Sequence, residues 1–153
     1  MIQIFCIKFH LYNNKFKLNH MTPLESLHYA IGELAYAVAS ADGSVQKEER
    51  TKFHDIVAAE LRCKDYAFDI SDIIFQIFDK DKNDSETTYK WAMDQIRLNS
   101  HYLSPKLKKT FIRVMEKVAK AYPPVTISEQ GLINMFKRDI AMINGDPVYY
   151  AKA

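Results

Sequence analysis

The chain has 153 residues and a mass of 17.8 kDa, enough for one hydrophobic centre and too little for two independent cores. With 4 Gly and 5 Pro beside 48% hydrophobic residues, the composition argues against a turn-rich all-β fold and against a disordered chain, and a compact helical protein is expected. The net charge of +2 conceals a polarity: residues 1–20 carry three lysines and no acid, residues 21–103 carry 9 basic against 15 acidic side chains, and residues 104–153 carry 9 against 4.

Residues 1–20 differ in kind from the rest of the chain, with Asn, His, Lys and Phe scattered and no helix cap. They read as an appended or mispredicted leader ahead of a start near Met21, with an ordered β-like arm as the alternative. The opening apolar run lacks the charged stretch and small-residue cleavage site of a signal peptide. Cys6 and Cys63 form neither a disulfide framework nor a C-x-x-C spacing, so a reducing compartment is expected. No run approaches the length of a membrane-spanning helix.

Thr22-Pro23-Leu24-Glu25 reads as a capping box with proline at the first helical position. Leu24, Leu27, Ile31, Leu34, Ala35 and Val38 then recur at helical spacing, which predicts a helix with one apolar face to about residue 40, closed by Asp42-Gly43. A second helix is expected from about Lys47 to Arg62 and a third from an Asp69 cap through Phe78. After a charged loop from Asp79 to Asp84, a fourth spans about Ser85 to Asn99, with Tyr89, Ala92, Met93 and Ile96 on one stripe. Ser104-Pro105 starts a fifth that sets Leu107, Phe111, Val114, Met115 and Val118 inward until Pro123-Pro124 stops it. Ser128 is read as the cap of a sixth, which ends near Asn144-Gly145.

The most specific stretch is Ala39-Ser40-Ala41-Asp42-Gly43-Ser44-Val45-Gln46-Lys47-Glu48-Glu49. It resembles the helix junction of the TerB tellurite-resistance family and its relatives, including the N-terminal domain of a membrane-anchored DnaJ-like co-chaperone. In that pattern a small-residue helix end leads into Ala-Asp-Gly, an apolar residue, and a Glu seven positions after the Asp. The family's second junction would fall at 121–129, where the Asp and Gly are absent. Turn and cap chemistry accounts for Asp42, Gly43 and Glu49 without any ligand. The resemblance implies the other use of the same carboxylates: Asp42 and Glu49, with Glu48 or Glu33 nearby, as hard oxygen ligands for a weakly held Ca²⁺ or Mg²⁺.

Other candidates carry plainer readings. Asp79-Lys80-Asp81-Lys82-Asn83-Asp84 imitates the start of an EF-hand loop, but Asp84 replaces the turn glycine and Lys90 the bidentate glutamate, which leaves a solvated loop. Lys106, Lys109, Arg113, Lys117 and Lys120 fall on one stripe of the fifth helix, with Lys108 beside it, and suit either water or an anionic partner. His28, His54 and His101 form no H-E-x-x-H spacing, and no P-loop, G-x-S-x-G or dinucleotide fingerprint occurs. Trp91, Tyr102, Tyr122, Tyr149 and Tyr150 suit either an exposed patch for a protein partner or a tail packed back on the bundle.

The expectation is one all-α domain, a bundle of about six or seven helices resembling the TerB-like family, over residues 21–148, with 1–20 as leader and 149–153 as tail. A non-enzymatic, cytoplasmic module is expected, acting in a tellurite-resistance-type stress response or in protein interaction. It would need no cofactor, with a divalent cation at Asp42, Glu48 and Glu49 as an accessory. A protein partner is expected and a nucleic acid is not; the partner's identity and the oligomeric state stay open. The alternatives are a metal-dependent enzyme using the same carboxylates, and an anion-binding adaptor working through helix 104–121.

Overall fold

The computed structural model describes residues 21–43, Lys52, Asp55, Ile56, Ala59, 83–121 and 123–152, and every regular element among them is helical. In chain order these are α1 (Pro23–Ala39), α2 (Ser85–Leu98), a 3-10 turn (Ser100–Tyr102), α3 (Pro105–Lys120), α4 (Ile127–Ala141) and the short α5 (Pro147–Tyr150). Lys52, Asp55, Ile56 and Ala59 are helical and fall within the segment expected at 47–62. The leader, the helix expected from Asp69, Glu48 and Glu49, and Tyr122 lie outside the described residues.

α1 begins as its sequence dictates. Thr22 accepts from the Glu25 amide at 3.2 Å, Glu25 accepts from the Thr22 amide at 2.7 Å, and Pro23 occupies the first turn where no donor is needed. The expected single apolar face is corrected, because residues from Ala30 through Val38 are buried without a break. That run exceeds two helical turns, so α1 is enclosed on every side. Its sequence allows this: from Ala30 to Ala39 the only charged residue is Glu33, and Ala30, Gly32, Ala35 and Ala37 let neighbouring backbones come close.

The remaining helices are laid against this rod. α2 and α3 pack along α1, and α4 touches both α1 and α3. The stripes expected on α2 and α3 are the ones buried: Tyr89, Ala92, Met93 and Ile96, and Phe111, Val114, Met115 and Val118. Polar ties fix the register. Ser85 donates to the Ala37 carbonyl at 2.6 Å, joining the start of α2 to the end of α1. Tyr89 donates to Asp139 Oδ2 at 2.8 Å, joining α2 to α4, while its ring meets Phe136 edge-on at 6.5 Å. Burial, then the Asp139 bond, hold the Tyr89 phenol far above its ordinary value, so it stays a donor.

Two boundaries differ from expectation. The cap of α4 is Thr126, not Ser128, because Thr126 and Glu129 form a second capping box, with the Glu129 carboxylate taking the Thr126 amide at 2.7 Å. α4 stops at Ala141, before Asn144-Gly145, and Gly145 is not a left-handed helix cap. Its role is close approach: a Cβ there would overlap the backbone carbonyl of Leu103, next to the point where the Asp146 amide meets the His101 carbonyl at 3.1 Å. Tyr149, within α5, packs on His101 and Tyr102 at ring separations of 5.0 and 5.6 Å.

Gly145→Ala is expected to destabilise the fold by roughly 2–3 kcal/mol, because backbone cannot yield to the added methyl. Gly131→Ala, on the exposed side of α4 with open space around it, is expected to stabilise by roughly 0.5–1 kcal/mol. Urea unfolding of both variants checks the pair; equal effects would remove the close-approach argument.

Candidate functional site

α3 presents the most one-sided charge on the described surface. Lys106, Lys109, Arg113, Lys117 and Lys120 are all exposed and succeed one another at intervals of three or four residues, which places them in a single column along about 21 Å of helix. Phe111, Val114, Met115 and Val118 hold the opposite face in the core, and Lys108 donates to the Ile143 carbonyl, so the helix cannot roll. The sequence places these five residues together and the structure keeps them so.

The local sequence sets this column apart from the exposed face of α2. Exposed cations of α2 have carboxylates one turn away: Lys90 pairs with Glu86 at 2.7 Å and Arg97 with Asp94 at 3.3 Å. Along α3 each basic residue is succeeded by another, and a like-charge neighbour at that spacing costs about 0.2–0.5 kcal/mol. The first turn of α3 contains no acid, so Lys106 stands at the positive end of the helix dipole, where a cation is disfavoured. Glu116, the one acid within α3, is engaged by Lys137 across the α3–α4 contact at 2.6 Å.

At the end of α3, Lys52 donates to the Ala121 carbonyl at 3.4 Å and adds its charge beside Lys117 and Lys120. The chain then turns through Pro123-Pro124, joined by a cis peptide bond, and exposes Val125 and Ile127. Sequence reasoning misses these two: a cap at Ser128 leaves Ile127 as an ordinary approach residue.

The Asp-Gly junction is a turn. Ser40 closes α1 through its amide and hydroxyl on the Tyr36 carbonyl, the Gly43 amide returns to Ser40, and Gly43 has φ +140°, in the left-handed range that favours glycine. Asp42 is exposed there, whereas Glu33 is buried two turns back in α1, so these two acids do not share a surface. Glu48 and Glu49 lie outside the described residues, and no group of three or more His, Cys, Asp or Glu suited to a metal occurs among the described ones. Asp84 caps α2, accepting from the Thr87 amide at 2.8 Å and the Thr87 hydroxyl at 2.7 Å, and these bonds hold its carboxyl below the usual range. Its role as a cap explains why the EF-hand pattern fails at that position.

α1 carries buried ionisable groups that only partly match expectation. His28 lies against the Leu24 carbonyl at 2.7 Å, so Nδ1 must be the protonated nitrogen. Burial lowers the His28 pKa and keeps the ring neutral. Glu33 is 4% exposed, and Oε2 meets no hydrogen-bond partner. Loss of water pushes the carboxyl up to about 8, and burial followed by the nearby Glu33 charge pushes the Tyr29 phenol up as well. The signal available in the sequence is one acid inside an otherwise apolar run.

No family model, curated protein or solved structure matches the chain. Among the described residues no helix is long and apolar enough to cross a membrane.

Between 4.5, the ordinary carboxyl value, and about 8, the folded chain keeps a proton on Glu33 that the unfolded chain has released. Stability therefore falls as pH rises through that window, by at most about 1.4 kcal/mol per pH unit from this group. His28, depressed in the fold, contributes with the opposite sign below its ordinary 6.5. Urea unfolding should find Glu33→Gln close to the parent protein near the lower end of the window and more stable near its upper end. Parallel stability curves would show that Glu33 is ionised in the fold.

Proposed function

We propose that this protein is a non-enzymatic helical module of the TerB-like kind, acting as an adaptor that engages an anionic partner surface through the basic face of α3. The single observation that carries the reading is the column Lys106, Lys109, Arg113, Lys117 and Lys120, all five exposed on one face of α3 opposite its buried stripe. The resemblance of the 39–49 junction supports the TerB-like assignment, and the left-handed Gly43 turn after α1 is the geometry that such a junction needs. A stress-response role of the tellurite-resistance type rests on the same resemblance. On this reading Asp42, with Glu48 and Glu49, takes a weakly held Ca²⁺ or Mg²⁺ as an accessory; the exposure of Asp42 supports it.

Long-chain polyphosphate is the simplest anionic probe. The intact protein should bind it at low ionic strength and release it as salt screens the column. Lys109→Glu with Arg113→Glu should weaken binding by about tenfold or more, whereas Lys90→Glu with Arg97→Glu, the same charge change on α2, should leave most of it. Thermal unfolding supplies a further sign: Lys109→Glu places an acid between Lys106 and Arg113 at helical spacing, so it should not lower the melting temperature even as binding falls. Equal loss from both double variants would assign the effect to net charge and remove the adaptor face.

A further inference from the structure

The solvent face of α4 carries a row of side chains that the rest of the fold does not use. At about 100° per residue, Ile127, Gly131, Asn134, Arg138 and Met142 fall within an arc of roughly 80°, opposite the buried Ile133, Phe136 and Ile140. Met142 lies one residue past α4 but keeps right-handed helical backbone, so it continues the row. All five are exposed, and Ile127 at 94% and Met142 at 81% are the two most exposed large apolar side chains among the described residues. They stand at the two ends of the row. Between them, Gly131 occupies mid-helix, where glycine weakens a helix relative to alanine, and a Cβ there would meet nothing within 4 Å. Packing within the chain does not require it.

The row matches its own inverse. The point midway between Asn134 and Met135 is equidistant from Gly131 and Arg138, and equidistant again from Ile127 and Met142. Laid antiparallel on a second copy about a two-fold axis at that point, each Ile127 meets the partner's Met142, and each Arg138 stem lies over the partner's Gly131, the one place where the row has no side chain. Asn134 meets its own copy beside the axis; its Oδ1 accepts from Gln130 Nε2 at 3.0 Å, and a primary amide has donors as well. Charge selects this direction over the parallel one. Arg138 is the only charged residue in the row and has Asp139 Oδ1 at 3.6 Å in its own chain. Parallel pairing would set two arginines side by side, whereas the antiparallel arrangement separates them by about 10 Å along the helix and opposes the two helix dipoles. We infer that this face of α4 is a self-association surface, its occupant being the same face of a second copy of the chain in antiparallel register. One helix pair is a small contact, so the association is weak and depends on concentration. It is independent of the anionic partner proposed for α3.

Sedimentation equilibrium of the full chain tests this. A monomer–dimer equilibrium is expected within roughly 0.01–1 mM protein, with no larger species, because a two-fold contact closes on itself. Ile127→Ser with Met142→Ser removes apolar contact without changing the charge or the core, and should weaken dimerisation by about tenfold. Gly131→Gln fills the seat of the partner's Arg138 and should weaken dimerisation by about tenfold or more. The same variant should raise the melting temperature of the dilute monomer, which separates its effect from a folding defect. Oxidising a mixture of Ile127→Cys and Met142→Cys chains reads the register: peptide mapping should find positions 127 and 142 linked to each other in preference to either position linked to its own copy. A chain that stays monomeric throughout the range overturns the inference. A dimer untouched by these variants, growth into larger assemblies, or links formed chiefly between like positions overturns it as well.

Discussion

The enclosure of α1 from Ala30 to Val38 is the constraint on which the rest of the described structure depends. A helix buried from Ala30 through Val38 has no face to offer water, so other elements must cover it all round. α2, α3 and α4 supply part of that cover, each contributing one apolar stripe and leaving its other side wet. The order of burial then divides the roles. α1 determines how the bundle closes, and the outer helices carry whatever the molecule shows to its surroundings.

Enclosure also explains why the two charged features differ so much. Glu33 sits in the rod and has lost its water without gaining a partner at Oε2, so its energetically acceptable form is the neutral acid. The basic residues in the α3 column are exposed and keep water around their charges. Glu33 is a burden on stability whose sign depends on pH.

How far the sequence can be read depends on whether the deciding interaction is local. Thr22 with Glu25, and Ser104 with Pro105, are contacts within one turn, and both starts appear where the residue types place them. The stripes of α2 and α3 are likewise local periodicities. The cap of α4 is just as local, but Ser128 competes with Thr126, and the deciding partner is Glu129 three residues after the threonine. Gly145 reads wrongly as a helix cap because its reason lies in Leu103, some forty residues earlier, and no spacing rule reports that approach. The Tyr89–Asp139 tie is of the same long-range kind. For the candidate site, the basic column is legible because it is one helix face, while the exposure of Ile127 becomes visible only once the true start of α4 is known.

The position of that start decides how Ile127 is held. With the cap at Ser128, Ile127 would precede the helix, free to fold back towards the core, and the chain around it would be a flexible connection. With Thr126 and Glu129 locked together, Ile127 is the first residue of α4, and its direction is set by a helix whose Ile133, Phe136 and Ile140 are anchored in the core. A large apolar side chain held rigidly in water gains nothing for folding, since collapse of a loop could have hidden it at little entropic expense. The same logic applies to the lysines of α3, which Lys108 and the buried face hold in one orientation.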